Sequence, residues 1–238
     1  SEDESIDLSY LPSERSGVSD MSKTAAFVYT NQLSRHVLRE GHPMQPIRLR
    51  DTFELLESLG AFNNPGSMLV EPREATEQEI LTYHTSEYIE AVKGLSQLIT
   101  LPGHTRYGFS QTGDNPIYAG MYEAALLSTG ASMVAMELAL QGNVRVAFNP
   151  SGGLHHAMPG SASGFCIFND PVIAIEAALA RGLRVAYVDI DAHHGDGVQH
   201  AFYKSNNVLT ISFHESGRYL FPGTGNVTEL GSNLGLGY

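Results

Sequence analysis

The chain has 238 residues, 42% of them hydrophobic, enough to bury a sizeable core and to exclude a disordered protein. Asp and Glu outnumber Lys and Arg 26 to 14, a formal charge of −12, which disfavours tight nonspecific binding to nucleic acid. The single cysteine, Cys166, excludes an internal disulfide framework and fits a reducing, cytoplasmic compartment.

In chain order, residues 1–22 carry Glu2, Asp3, Glu4, Asp7, Glu14 and Asp20 against Arg15 alone, and they read as a disordered acidic tail. Met21, just before the strand-like run 25–29, is a candidate natural start. The first twenty residues lack the basic-then-apolar order of a secretory signal, and no run of about 18 apolar residues is expected to span a membrane. Leu49, Phe53, Leu55, Leu56 and Leu59 have helical spacing, and residues 119–140 form a long helix candidate rich in Ala, Met and Leu that closes near Gly142. Apolar runs at 144–148, 185–190 and 208–213 read as buried parallel strands, the first two separated by a helix candidate at 172–180. Strand, helix, strand in that order implies right-handed crossovers and an α/β fold, a mainly parallel β-sheet flanked by helices on both faces. Ligands in such sheets sit beyond the carboxyl ends of the strands. No internal repeat interrupts residues 23–238, which read as one domain portion.

Two clusters follow strand candidates. The run from Asp189 through Asp191, His193, His194 and Asp196 puts three carboxylates and two imidazoles within eight residues. In extended backbone, residues two apart share a face, so Asp191 and His193 can offer one oxygen and one nitrogen to a single ion. Mixed ligation of this kind suits zinc or iron(II). The second cluster, Ser151-Gly152-Gly153-Leu154-His155-His156, is expected at the same sheet edge. Its histidines suit general acid and base work, and Asp189 and Asp196 are candidate partners to fix their tautomers.

With both clusters in hand, the sequence resembles the histone deacetylase family, which has the arginase/deacetylase fold, and within it the bacterial acetoin-utilisation-type members. The resemblance runs over about residues 25–238. It is carried by Gly41-His42-Pro43-Met44, Gly152 to His156, Ser163-Gly164-Phe165-Cys166, Asp189 to Gly197 and Phe221-Pro222-Gly223-Thr224-Gly225. It implies a zinc-dependent hydrolase that removes an acyl group from an acetylated protein or small acetylated amine. Asp191 and His193 would ligate the metal, while His155 and His156, backed by Asp189 and Asp196, would handle protons, with His156 as base. Phe165 and Phe221 would wall the acyl-lysine tunnel, Asp114 would hold the substrate backbone at its rim, and Arg48 would line an internal acetate channel. The resemblance further implies potassium held by Asp189, Asp191 and backbone oxygens of His193, Ser212 and Phe213, with a second monovalent site around Phe202, Ser205, Val208 and Tyr238. The family's third metal ligand and its oxyanion-donating tyrosine would fall beyond residue 238, so the chain is expected to be the amino-terminal portion of a deacetylase domain.

Three rivals remain open at this stage. One is a non-catalytic remnant that binds a metal or partner. Another is an arginase-like ureohydrolase with two manganese ions, although Gly195 stands where its pattern wants an Asp. The third makes Cys166 a nucleophile with His155 or His156 as its base.

Overall fold

A computed structural model describes residues 25–36, 38–99 and 102–237; the acidic segment 1–22, Met21 and Tyr238 lie outside them. The helices and strands run in the order β1 (Ala25–Val28), α1 (Ile47–Ser58), β2 (Ser67–Val70), α2 (Glu77–Ile80), α3 (Ser86–Ser96), α4 (Met121–Leu140), β3 (Val146–Phe148), α5 (Asp170–Leu179), β4 (Val185–Asp189), α6 (Asp196–Phe202) and β5 (Val208–Ser212). Every strand pairing is parallel: β1 lies between β2 and β3, and β4 pairs with β5. This is the α/β architecture that the strand and helix order predicts, divided among the described residues into a three-stranded and a two-stranded sheet.

The expected strands shorten by one or two residues, and the sequence reading passed over β2, α2 and α3. β2 has only four residues, too few for a periodic signal, and α2 is a single turn held by a reciprocal cap in which Thr76 and Glu79 each bond the other's backbone N–H. The outer strands are also less buried than their apolar runs suggest. Val146, Phe148 and Val188 are more than half exposed, whereas β1, between two neighbours, is buried from Ala26 to Val28, with Phe27 against α1 and Val28 against α4.

α4 corrects another expectation, since by length and composition it could cross a membrane. It instead packs against α3, α5, β1 and β3, burying Met121, Ala125, Thr129, Ala131 and Met133; a helix apolar all round belongs in a core. Around it Tyr88, Phe109, Phe168 and Ile173 fill the main cluster. α5 begins on a clear local signal: the Asn169 side chain accepts the Val172 N–H, and Pro171 occupies the first turn.

Gly130 sits in the middle of α4, where Ala would ordinarily stabilise a helix by about 1 kcal/mol. A Cβ there would lie 1.8 Å from the Arg73 carbonyl oxygen and 2.6 Å from the Ala75 nitrogen, both backbone atoms. Gly130→Ala is therefore expected to reverse the usual sign and destabilise the fold by about 1–3 kcal/mol in urea unfolding. An unchanged or raised midpoint would contradict this packing.

Candidate active site

The loops that leave β3 and β4 carry the two clusters, and the structure brings them into contact. His155 Nδ1 lies 2.6 Å from Asp189 Oδ2, and His156 Nδ1 lies 2.7 Å from Asp196 Oδ1. An ionised carboxylate only accepts, so in each pair Nδ1–H donates, and Nε2 is the nitrogen left to meet a reactant. The two imidazoles are adjacent, with ring centroids 4.0 Å apart, and His156 stands 5.9 Å from the His193 ring and 4.9 Å from Phe221.

His155 and Asp189 are both buried, and that burial opposes charge on each. For His155 the hydrogen bond and the attraction of Asp189 outweigh burial, and its pKa lies above the usual imidazole value. For Asp189 the donors His155, Tyr187 and the Asp191 amide likewise outweigh burial, and its pKa is lowered. Gly195 is what lets the pair close, since a Cβ there would fall 2.3 Å from Asp189 Oδ2.

Asp191 and His193 do share a face, with Oδ1 and Nδ1 2.9 Å apart and both side chains about half exposed. Two donors on a tetrahedral zinc lie roughly 3.3 Å apart, so a cation can replace the proton between them with little movement. An oxygen and a nitrogen, accessible and poised, fit two corners of such a site. Among the described residues no third His, Cys, Asp or Glu completes the group.

The other predicted residues fall at several depths. Phe165 has a φ of +73°, which a bulky residue rarely adopts. The cause is a tight turn: Ser163 and Cys166 exchange backbone hydrogen bonds, and both central residues, Gly164 and Phe165, have positive φ, as a type I′ turn requires. The turn presents the Phe165 ring edge-on to His42, 4.8 Å away. His42 is itself buried; its Nδ1 accepts the Met44 N–H and its Nε2 donates to the Asp114 carbonyl, which ties down the exposed Asp114. Phe221 is 43% exposed beside His156 and His193, while Phe165 is half-buried against His42. Arg48 lines a separate cavity of about 90 Å³ with Ser151, Leu154 and Phe165.

Of the residues named for monovalent ions, Asp189 and Ser212 are register partners, and the Phe213 N–H donates to the Asp189 carbonyl. Phe202, Ser205 and Val208 lie between α6 and β5, where the Phe202 carbonyl accepts the Ser205 N–H; Tyr238 is outside the described residues. Cys166 is corrected as a nucleophile: it is buried, its thiol contacts the Gly164 carbonyl, and burial pushes its pKa up, which disfavours the thiolate. Tyr187, which donates to Asp189 Oδ2 at 2.6 Å, was missed. Its position two residues before Asp189 on one strand face was the signal that could have found it.

The histone deacetylase domain profile matches residues 42–238. The acetoin utilization protein AcuC of Bacillus subtilis is 43% identical over 91% of this chain, and the Type-1 histone deacetylase 1 of Dictyostelium discoideum is 37% identical over the same share. The chain spans 56% of the former and 43% of the latter. The crystal structure of an HDAC homolog from Aquifex aeolicus superposes with a TM-score of 0.83 at 34% identity, covering 91% of this chain and 58% of that one.

The two shifted pKa values fix a stability window. The raised His155 pKa contributes fully below about 6.5 and is lost as pH rises through its folded value. The lowered Asp189 pKa contributes above about 3.9 and is lost as pH falls through its folded value. Asp189→Asn is therefore expected to lower the urea midpoint most near pH 5 and less at pH 9; a deficit that grows towards pH 9 would refute the pairing.

Proposed function

Because this chain belongs to the histone deacetylase family, we propose that it carries the proton-handling part of a zinc-dependent hydrolase, with iron(II) as the alternative ion, that removes an acetyl or related acyl group from an amine. The amine is that of lysine in a protein, or of a related small molecule. The reading rests on one observation: two imidazole–carboxylate pairs stand against the Asp191–His193 donor pair beyond the end of β4.

Asp191 and His193 would hold the divalent cation, which when bound would supply Lewis acidity towards the acyl carbonyl and a lowered pKa for water, from about 15.7 towards 7. Asp196 holds the Nδ1–H of His156, so His156 Nε2 accepts the proton of the attacking water. His155, whose Nδ1–H is held by Asp189, presents its other ring nitrogen as a hydrogen-bond donor to the carbonyl oxygen as it becomes negative. The carbon–nitrogen bond then breaks, and an imidazolium returns its proton to the leaving amine. Phe165 and Phe221 exclude water from an extended acyl-lysine side chain, and Asp114 accepts hydrogen bonds from the substrate backbone.

Potassium belongs to the same proposal, held near this site by oxygens of Asp189, Asp191, His193, Ser212 and Phe213. So does a cytoplasmic setting, which rests on the lone buried thiol. The half-exposed, two-donor geometry of Asp191 and His193 supports a second reading, a chain that binds a cation without turnover.

An acetyl-lysine peptide assay with zinc stoichiometry separates the two. In a chain extended beyond residue 238, turnover that is lost on chelation and restored by zinc is expected; one zinc per chain with no acetate released from that longer chain favours the second reading. His156→Ala should lower kcat by about 10²–10⁴-fold with an unchanged circular dichroism spectrum, and near-normal turnover would defeat its role as base. Phe165→Gly, which retains the positive φ of the turn, should raise KM about tenfold with a smaller effect on kcat.

A further inference from the structure

Asn169 and Asp170 are adjacent, buried, and unused by the chemistry above. They sit at the start of α5, against the loop that carries the two histidines. The Asp170 carboxylate accepts the Leu154 N–H at 2.8 Å and the Gly153 N–H at 3.1 Å, and also the Ser132 hydroxyl. The Asn169 side-chain amide donates to the His155 carbonyl at 3.1 Å and the Ala157 carbonyl at 3.0 Å. Asp170 thus grips the loop just before His155, and Asn169 grips it between the two histidines and just after His156.

We propose that Asn169 and Asp170 together are positioning residues that fix the backbone of the His155–His156 segment, so that both imidazoles meet Asp189 and Asp196 at hydrogen-bond distance. This rests on the reading of those histidines as the proton-handling pair.

The requirement for both residues is geometric. Two imidazoles on adjacent residues must each reach a carboxylate on a different element, Asp189 at the end of β4 for one and Asp196 at the start of α6 for the other. Small rotations of the peptide between them would trade one pair against the other. Asp170 holds two successive N–H groups and Asn169 holds two alternate carbonyls, so the peptide planes on both sides of the histidines are fixed. The loop lies so close that a Cβ on Gly152 would come 2.6 Å from Asp170 Oδ2.

Asn169 is itself held on every side. Its own N–H donates to His84 Nε2 at 3.0 Å, and its Oδ1 accepts the Val172 N–H at 3.2 Å. Asp170 is a buried carboxylate satisfied by neutral donors at a helix start, an arrangement that costs desolvation and calls for a reason beyond packing.

The test uses the full chain with 15N-labelled histidine. Asn169→Asp keeps an acceptor for the α5 cap but removes both donors to the loop, and Asp170→Asn removes one of two acceptors. In both variants the Nδ1 protons of His155 and His156 are expected to exchange with solvent at least about tenfold faster, while the Nε2 proton of His42, bonded to Asp114, stays protected. Unchanged exchange at His155 and His156 in a folded variant would overturn the proposal. Unfolding of both variants would assign the pair to fold stability and overturn it as well.

In turnover, kcat is expected to fall about 10- to 100-fold with KM nearly constant, and the loss should be smaller in a His156→Ala background, where only the placement of His155 remains to be lost. Losses that multiply in the double variant would mean a merely structural role and overturn the proposal. Faster exchange with no change in kcat would leave the positioning intact and sink instead the reading of the histidines as proton handlers.

Discussion

A carboxylate as buried as that of Asp189 keeps its charge only while donors surround it, and the His155 imidazole, the Tyr187 hydroxyl and the Asp191 amide are those donors. Much of the site follows from that constraint. The β3 loop must deliver His155 to the end of β4, although among the described residues the two strands lie in different sheets. Gly195 must lack a side chain, because the carboxylate occupies the space a Cβ would need. The chain then turns into α6, whose first residue, Asp196, serves the second imidazole.

The same economy of space appears on the approach side. Phe165 occupies a backbone region that bulky residues avoid, and the strain is held by a two-residue turn closed by backbone hydrogen bonds. What the turn achieves is a ring edge set against His42, which in turn restrains the loop of Asp114. Strain here is local, and its product is the placement of the Phe165 ring.

The strand–helix alternation, the long apolar helix of α4 and the paired clusters were all legible in the sequence, because each is written within a few consecutive residues. β2 and α2 were not, since four residues carry no periodicity and their identity comes from partners: the β1 edge for one, a reciprocal cap for the other. The fate of α4 was equally hidden. Its composition suits a membrane or a core, and only its contacts with α3, α5, β1 and β3 decide for the core.

The sequence by itself determined the chemical types and their short spacing: an acid and an imidazole two residues apart after one strand, and two imidazoles side by side after another. Tertiary structure decided the pairings, His155 with Asp189 across 34 residues and His156 with Asp196 across 40, and it alone placed Asn169 and Asp170 beneath the loop. The physical reason is that spacing along a strand fixes which face a side chain takes. Which distant group shares that face depends on how the sheet and helices close around it.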